Sequence, residues 1–230
     1  MTVHFIKEVD YLKEMILQLS SRVEIQLEHA VQALMTRNVK QASDVLEEDH
    51  AIDHAEVDVE EECLKILALH QPVAHDLRFI IAVLKINNDL ERIGDLAVNI
   101  AERAIFLSGK AMPSTGFDFV TMAEKATTML RESLDALLRQ DLKLARHVRE
   151  SDDEVDQINR EMYEQIKDSI RREPQHVDAL IHLLSISRHL ERVGDHATNI
   201  AEDVIYMIKG EIVRHRFERY GERDGEDPDG

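Results

Sequence analysis

The chain has no tryptophan and a single cysteine, Cys63, in 230 residues. One thiol excludes an internal disulfide framework and suits a reducing compartment. Cys63 sits among Leu64, Ile66 and Leu67 in a helical pattern, as a buried structural thiol does. Aromatic residues make up only 4%, so aliphatic side chains must fill any core. Glycine (8) and proline (4) are scarce. The chain therefore has few places to turn, which points to a few long helices. Basic residues are outnumbered, 28 Lys+Arg against 46 Asp+Glu, for a formal net charge of -18. That balance repels a phosphate backbone and argues against nucleic acid as a partner. A long apolar run is also missing. The most apolar stretch, FIIAVLKI at 79–86, is short and interrupted by Lys85, whereas a bilayer span takes about 20 residues. The N-terminal MTVHFIKEVDYLKEM is charged from Lys7 onward and has no signal-peptide core. These features together predict a cytoplasmic protein.

What is present is helical periodicity, nearly continuous along the chain, with no strand-like alternation. Leu12, Met15, Leu19, Val23, Leu27 and Leu34 mark the apolar face of a first helix, about Phe5 to Arg37. A second helix runs to about Leu69 and is ended by His70-Gln71-Pro72, since proline disfavours helix at the residue before it. A third spans about Val73 to Phe106. The second half repeats this, with helices at about Phe117–Leu138, Asp141–Ile170 and Val177–Lys209. Asp141 is a good N-cap, Glu173-Pro174 a breaker and Gly210 a C-cap. The reading is all-α, two tandem three-helix bundles of long antiparallel helices. Residues 1–107 form the first bundle, 108–116 a linker, 117–210 the second bundle and 211–230 a polar, disordered tail.

The two halves are copies. Residues 90–102 read LERIGDLAVNIAE and residues 190–202 read LERVGDHATNIAE, identical at 10 of 13 positions. Upstream, Lys40, Ala42, Val45, Glu47, Asp49 and Asp53 recur as Lys143, Ala145, Val148, Glu150, Asp152 and Asp156, at an offset of 103. The offset falls to 100 before the third helix, so the first half carries three extra residues near its proline turn.

On a helix, positions four apart share a face. Glu91, Asp95 and Asn99 therefore form an acidic stripe, separate from an apolar stripe of Leu90, Ile93, Ala97 and Ile100. Glu191, Asp195 and Asn199 repeat it. Glycine costs roughly 1 kcal/mol inside a helix, so Gly94 and Gly194 predict close approach of another backbone. Asp49 and Asp53 on the second helix, and Asp152 and Asp156 on the fifth, have the same spacing. Asp53 lies about 18 residues before the turn at Gln71 and Glu91 about 20 after it, so the pairs reach similar heights in an antiparallel hairpin. Four facing carboxylates repel unless protonated or bridged by cations. Their hard oxygens suit Mg²⁺, Ca²⁺ or Mn²⁺, with iron or zinc where water completes the shell. The alternative is a solvated acidic face neutralised by Arg92 and Arg192. His196 has Leu96 as its counterpart and is not expected to be a ligand. A ferritin-like site would need two Glu-x-x-His motifs. Glu47–His50 fits one, but Glu173–His176 is broken by Pro174. No phosphate loop, nucleophile elbow or zinc-protease motif occurs.

Gln71-Pro72-Val73-Ala74-His75-Asp76-Leu77-Arg78, followed by Leu90-Glu91-Arg92-Ile93-Gly94-Asp95, resembles the signature of the PhoU family, and Leu190 to Asp195 falls where that family has its second copy. The likeness runs from about Phe5 to Lys209. It implies two three-helix bundles and a role without catalysis: restraint of the phosphate-starvation response, coupling the ATPase subunit of a phosphate ABC transporter to a membrane sensor histidine kinase. It implies a homodimer that meets the membrane through its partners. Some family members bind multinuclear metal clusters on E(D)-x-x-x-D motifs and others are metal-free. The metal positions implied here are Glu91–Asp95 and Glu191–Asp195, which Asp49–Asp53 and Asp152–Asp156 also fit, for iron, zinc or another divalent metal. A metal-dependent enzyme or metal-storage bundle is the alternative. Asp76-Leu77-Arg78 becomes His176-Val177-Asp178 in the second half, so Arg78 has no twin and the bundles are expected to contact different partners.

Overall fold

A computed structural model describes residues 3–113 and 117–213. Six α-helices account for nearly all of them, and no strand occurs among the described residues. They are α1 (Val3–Thr36), α2 (Val39–His70), α3 (Ala74–Ser108), α4 (Phe119–Arg139), α5 (Leu142–Arg172) and α6 (Val177–Lys209). A 3-10 turn, Pro174–His176, precedes α6. At 1.5 Å per residue, α1, α2, α3, α5 and α6 are rods of about 50 Å.

The helix ends follow from local chemistry. Asn38 caps α2 by accepting from the Gln41 amide, and Asp141 caps α5 by accepting from Lys143 and Leu144. Gly210 ends α6 in the left-handed conformation at φ 73°. Gln71 and Gln140 do the same for α2 and α4 without being glycine. The three extra residues of the first half are Gln71, Pro72 and Val73, the non-helical connection between α2 and α3. In the linker, residues 114–116 lie outside the described residues, while Met112 and Phe117 on either side pack against the core. Of the segment assigned to a polar tail, Val213 is buried and residues 214–230 lie outside the described residues.

The core is aliphatic, as the shortage of aromatics requires. Leu12, Leu19, Leu27, Ile66, Ile80 and Ile93 in the first bundle and Leu130 in the second are fully buried. Each contributes about 1.5–3 kcal/mol of hydrophobic stabilisation. The expected apolar stripe of Leu90, Ile93, Ala97 and Ile100 is buried throughout. Cys63 lies inside, and burial pushes its thiol pKa up to about 12, so it stays protonated and unreactive.

The bundles are joined along α3 and α6, which run antiparallel. Lys85 Nζ donates to Asp203 Oδ1 at 2.9 Å, and His196 Nδ1 lies 2.8 Å from Asp89 Oδ1. Further along, Arg103 Nε donates to Ser185 Oγ at 3.2 Å and Phe106 stacks on His182. Arg78, which has no twin, donates to the Met207 carbonyl near the end of α6. A second contact links α1 to α4, where Arg131 pairs with Glu24 (2.6 Å) and Glu28 (2.9 Å).

Gln140 is exposed and holds φ 51°, where a side chain costs about 1–2 kcal/mol more than glycine. After the greater entropy that glycine gives the unfolded chain, Gln140→Gly is expected to stabilise the fold by about 0.5–1 kcal/mol. Thermal denaturation followed by circular dichroism should show a melting temperature raised by about 1–4 °C; a decrease would refute the backbone argument.

Candidate functional site

The acidic stripe of α3 faces α2, and that of α6 faces α5, at the heights expected from the hairpin. Asp49 lies within electrostatic reach of Asp53 and Asp95, and Glu91 within reach of Asp95, Glu56 and Asp53. In the second bundle Asp152 is near Asp195 and Asp156, and Glu191 is near Asp195, Asp156 and Asp152. All eight carboxylates singled out in the sequence therefore fall into two groups of four, one per bundle.

Close approach at the glycines makes this possible, but the approaching groups are side chains and not the backbone expected from the sequence. A Cβ on Gly94 would lie 3.2 Å from Gln26 Oε1 and 3.7 Å from Asp49 Oδ1. On Gly194 it would lie 3.5 Å from Asp152 Oδ1 and 3.7 Å from Met129 Cε. The missing side chain lets the carboxylate of the neighbouring helix settle against the α3 or α6 surface.

The clusters are short of positive charge. Burial pushes the Asp49 pKa up, with Asp53 and Asp95 adding to the shift and a hydrogen bond from Gln26 opposing it. Burial also raises Glu91, helped by Asp95 and opposed by Arg92. In the second cluster burial, then Asp195 and Asp156, push Asp152 up to about 6. Glu191 and Asp195 are raised by burial first and by neighbouring carboxylates next. Arg92 lies 3.4 Å from both Glu91 and Asp95, and Arg160 lies 3.5 Å from Asp156. Arg188 acts on Glu191 and Arg192 on Asp195 as well, yet the carboxylate pKa values named here still shift upward on balance.

Among the described residues, no three His, Cys, Asp or Glu side chains converge into a ligand cage as they stand. The donor set nevertheless fits a divalent cation. It is all hard oxygen, and burial, with crowding second, raises the proton affinity of several carboxylates, a demand that a metal ion can also meet. Histidine takes no part: His196 is turned to Asp89 across the α3–α6 seam, as its unmatched counterpart suggested. The ferritin-like pattern does not assemble, since Glu47 and His50 are exposed on α2 while Glu173 lies 3.7 Å from His176 at the turn before α6.

Three residues of the first cluster were not singled out from the sequence. Gln26 on α1 is 1% exposed and donates from Nε2 to Asp49 Oδ1 at 3.0 Å. Asn87 on α3, also 1% exposed, donates from Nδ2 to Glu56 Oε1 at 2.9 Å. Glu56 on α2 is the third, its pKa raised by burial, then by Glu60 and Asp53. A signal existed: Gln26 interrupts an apolar stripe that includes Val23, Leu27 and Ala30, and a polar residue at a buried helical position needs a partner.

The raised pKa of Asp152 has a linkage consequence. The folded chain holds this proton more tightly than the unfolded chain, whose aspartate titrates near 3.8. The associated stability is present below about pH 4 and is lost as pH rises through about 6. Asp152→Asn removes the ionisation. With solvent screening of this half-exposed group discounted, the variant is expected to gain about 1 kcal/mol at pH 7.5, near 2–4 °C in melting temperature, and nothing at pH 4. Melting the chelator-treated protein at both pH values is the check, and an equal gain at both would break the argument.

The chain matches the model of the "PhoU domain" twice, over residues 16–104 and 119–204. It is 38% identical over 210 residues to the phosphate-specific transport system accessory protein PhoU homolog of Aquifex aeolicus, covering 91% of this chain and 95% of that one. Against the Pseudomonas aeruginosa homolog it is 37% identical over 212 residues, covering 92% and 88%. The crystal structure of PhoU from Pseudomonas aeruginosa superposes with a TM-score of 0.88 at 36% identity, covering 90% of this chain and all of that one. The phosphate transport system regulatory protein PhoU from Streptococcus pneumoniae superposes at 0.85 with 28% identity, over 91% and 99%. The helical architecture is thus shared with these proteins over about nine-tenths of the chain, and the chain belongs to the PhoU family.

Proposed function

We propose that this chain is a non-catalytic cytoplasmic regulator of phosphate uptake and a negative regulator of the phosphate-starvation response. It acts as a homodimer that couples the ATPase subunit of a phosphate ABC transporter to a sensor histidine kinase. The observation that carries the transport role is the end-to-end match to proteins named as accessory to phosphate-specific transport. Those names describe association with a transport system, not a reaction. No helix of the described residues is long and apolar enough to cross a membrane, so contact with the membrane runs through the partners.

Coupling requires that the chain bind its partners better in one phosphate state than in the other. The asymmetry of the bundles supports separate partners. Along α2 the only Lys or Arg residues are Lys40 and Lys65, against many acids, while α5 carries seven. Leu69 and Val73, at the α2–α3 turn, are among the most exposed apolar side chains and have the character of a protein contact. Within the bundles, divalent metal held by Asp49, Asp53, Glu91 and Asp95, and by Asp152, Asp156, Glu191 and Asp195, would neutralise the carboxylates and tie α2 to α3 and α5 to α6.

Two experiments test this. Deleting the gene is expected to derepress phosphate-starvation genes in high phosphate, and restoring it to reverse the effect; genes that stay repressed would reject the regulatory role. Pulldown from cells in high and low phosphate, read by mass spectrometry, should recover the transporter ATPase and the kinase in a phosphate-dependent ratio. For the metal, Asp95→Ala/Asp195→Ala is expected to lose bound metal and to lower the melting temperature of the loaded protein. Unchanged metal content would exclude these sites.

A further inference from the structure

The repeat makes Gln26 and Asn87 conspicuous, because the second bundle has neither. At the position of Gln26, against the second glycine, stands Met129, and at the position of Asn87 stands Ser187, whose hydroxyl donates to the Leu184 carbonyl in its own helix. Glu56 itself has a neutral counterpart, Asn159. The first cluster is therefore one rung longer. On α2 it runs Asp49, Asp53, Glu56, and on α3 it runs Asp95, Glu91, Asn87. A buried amide holds a carboxylate at each end.

Both amides are incompletely used. Gln26 donates to Asp49 and to the Val45 carbonyl, but its Oε1 has no hydrogen-bond partner among the described residues and lies against Gly94, beside Asp49. Asn87 donates twice to Glu56, and its Oδ1 is likewise unpartnered. A buried carbonyl oxygen without a donor costs about 1–3 kcal/mol, and amide oxygens are ordinary ligands of hard cations. In the second bundle Asn159 also carries an unpartnered oxygen, but its side chain is only partly buried, and Asp152 is held by the Thr198 hydroxyl in place of an amide.

We propose that Gln26 and Asn87, with Asp49 and Glu56, make the first carboxylate cluster a hard-cation site of a different kind from the second, so that the chain binds divalent cation in two classes with the tighter one in the first bundle. This rests on the cation-binding reading of the clusters given above. The amides fix the rotamers of Asp49 and Glu56 in advance and supply two neutral oxygens, while Glu56 adds a negative charge that Asn159 does not. Arginine adds to the difference, since Arg92 bears on the first cluster while Arg160, Arg188 and Arg192 all bear on the second.

The probe is Mn²⁺ titrated into the chelator-stripped full chain at pH 7.5, with free Mn²⁺ followed by electron paramagnetic resonance. Wild type should show two affinity classes. Gln26→Met/Asn87→Ser copies what the second bundle already has at these positions, so it is expected to fold, as circular dichroism of the metal-free protein will verify. It should weaken the tighter class about tenfold, the usual effect of losing residues that orient a ligand, and leave the weaker class unchanged. Asp152→Ala/Asp156→Ala should remove only the weaker class. Two classes of unchanged affinity in the amide double variant, or a single class in wild type, would overturn this inference while leaving cation binding intact. No Mn²⁺ binding to wild type would instead remove the cation reading itself, and this inference with it.

Discussion

Everything in this molecule is hung on two helices, α3 and α6, packed antiparallel along their length. Each must satisfy three neighbours at once. One stripe of α3 is apolar and builds the core with α1 and α2, one is acidic and meets α2, and one is polar and meets α6. The polar stripe is the demanding one. Asp203 is 1% exposed, and an ion this buried is tolerable only with a partner, here Lys85 at 2.9 Å. Stranding such a charge costs about 3–5 kcal/mol. The Asp89–His196 contact and the Arg103–Ser185 bond continue the same logic along the seam. These pairs need one register, so they set how the bundles align and bring the two acidic clusters to the same level on opposite flanks of the seam.

Duplication explains the shared architecture, and divergence explains where the halves differ. The motif residue Glu102 is largely exposed and pairs with its neighbour Arg103, whereas its copy Glu202 is buried against Arg149 of α5. His196 joins the seam while Leu96 is a core residue. Arg78 reaches across to the end of α6, whereas the aligned Asp178 acts on His182 of its own helix. In each case an identical or aligned residue has acquired a different partner.

Much of the fold was legible because it depends on local rules. Helical periodicity, Asp141 as a cap, Gly210 as a left-handed terminator and the proline turns give boundaries that agree with the structure to within about two residues. The pairing of Asp49–Asp53 with Glu91–Asp95 was legible too, because a short connection forces an antiparallel hairpin and the rise per residue then sets the heights. Less visible were Gln26, Glu56 and Asn87. Gln26 comes from α1, whose rotation and height relative to the α2–α3 hairpin depend on packing of the whole bundle. Asn87 lies one turn before Glu91 but reads as an ordinary polar helical position until its burial is known. The role of the glycines was half right: close approach was required, but side-chain carboxylates and an amide approach, not a backbone.

The sequence by itself determined the class of fold, the duplication and the acidic stripes, since each is a matter of periodicity, caps and repeated residues. Its likeness to a family also carried the functional expectation. Only the tertiary structure decided which polar groups lose water together. Burial is a property of three or more helices at once, and it is burial that raises Asp152 and leaves Gln26 and Asn87 with oxygens lacking donors. That is why two halves alike in their motifs are unlike in the surroundings of their carboxylates.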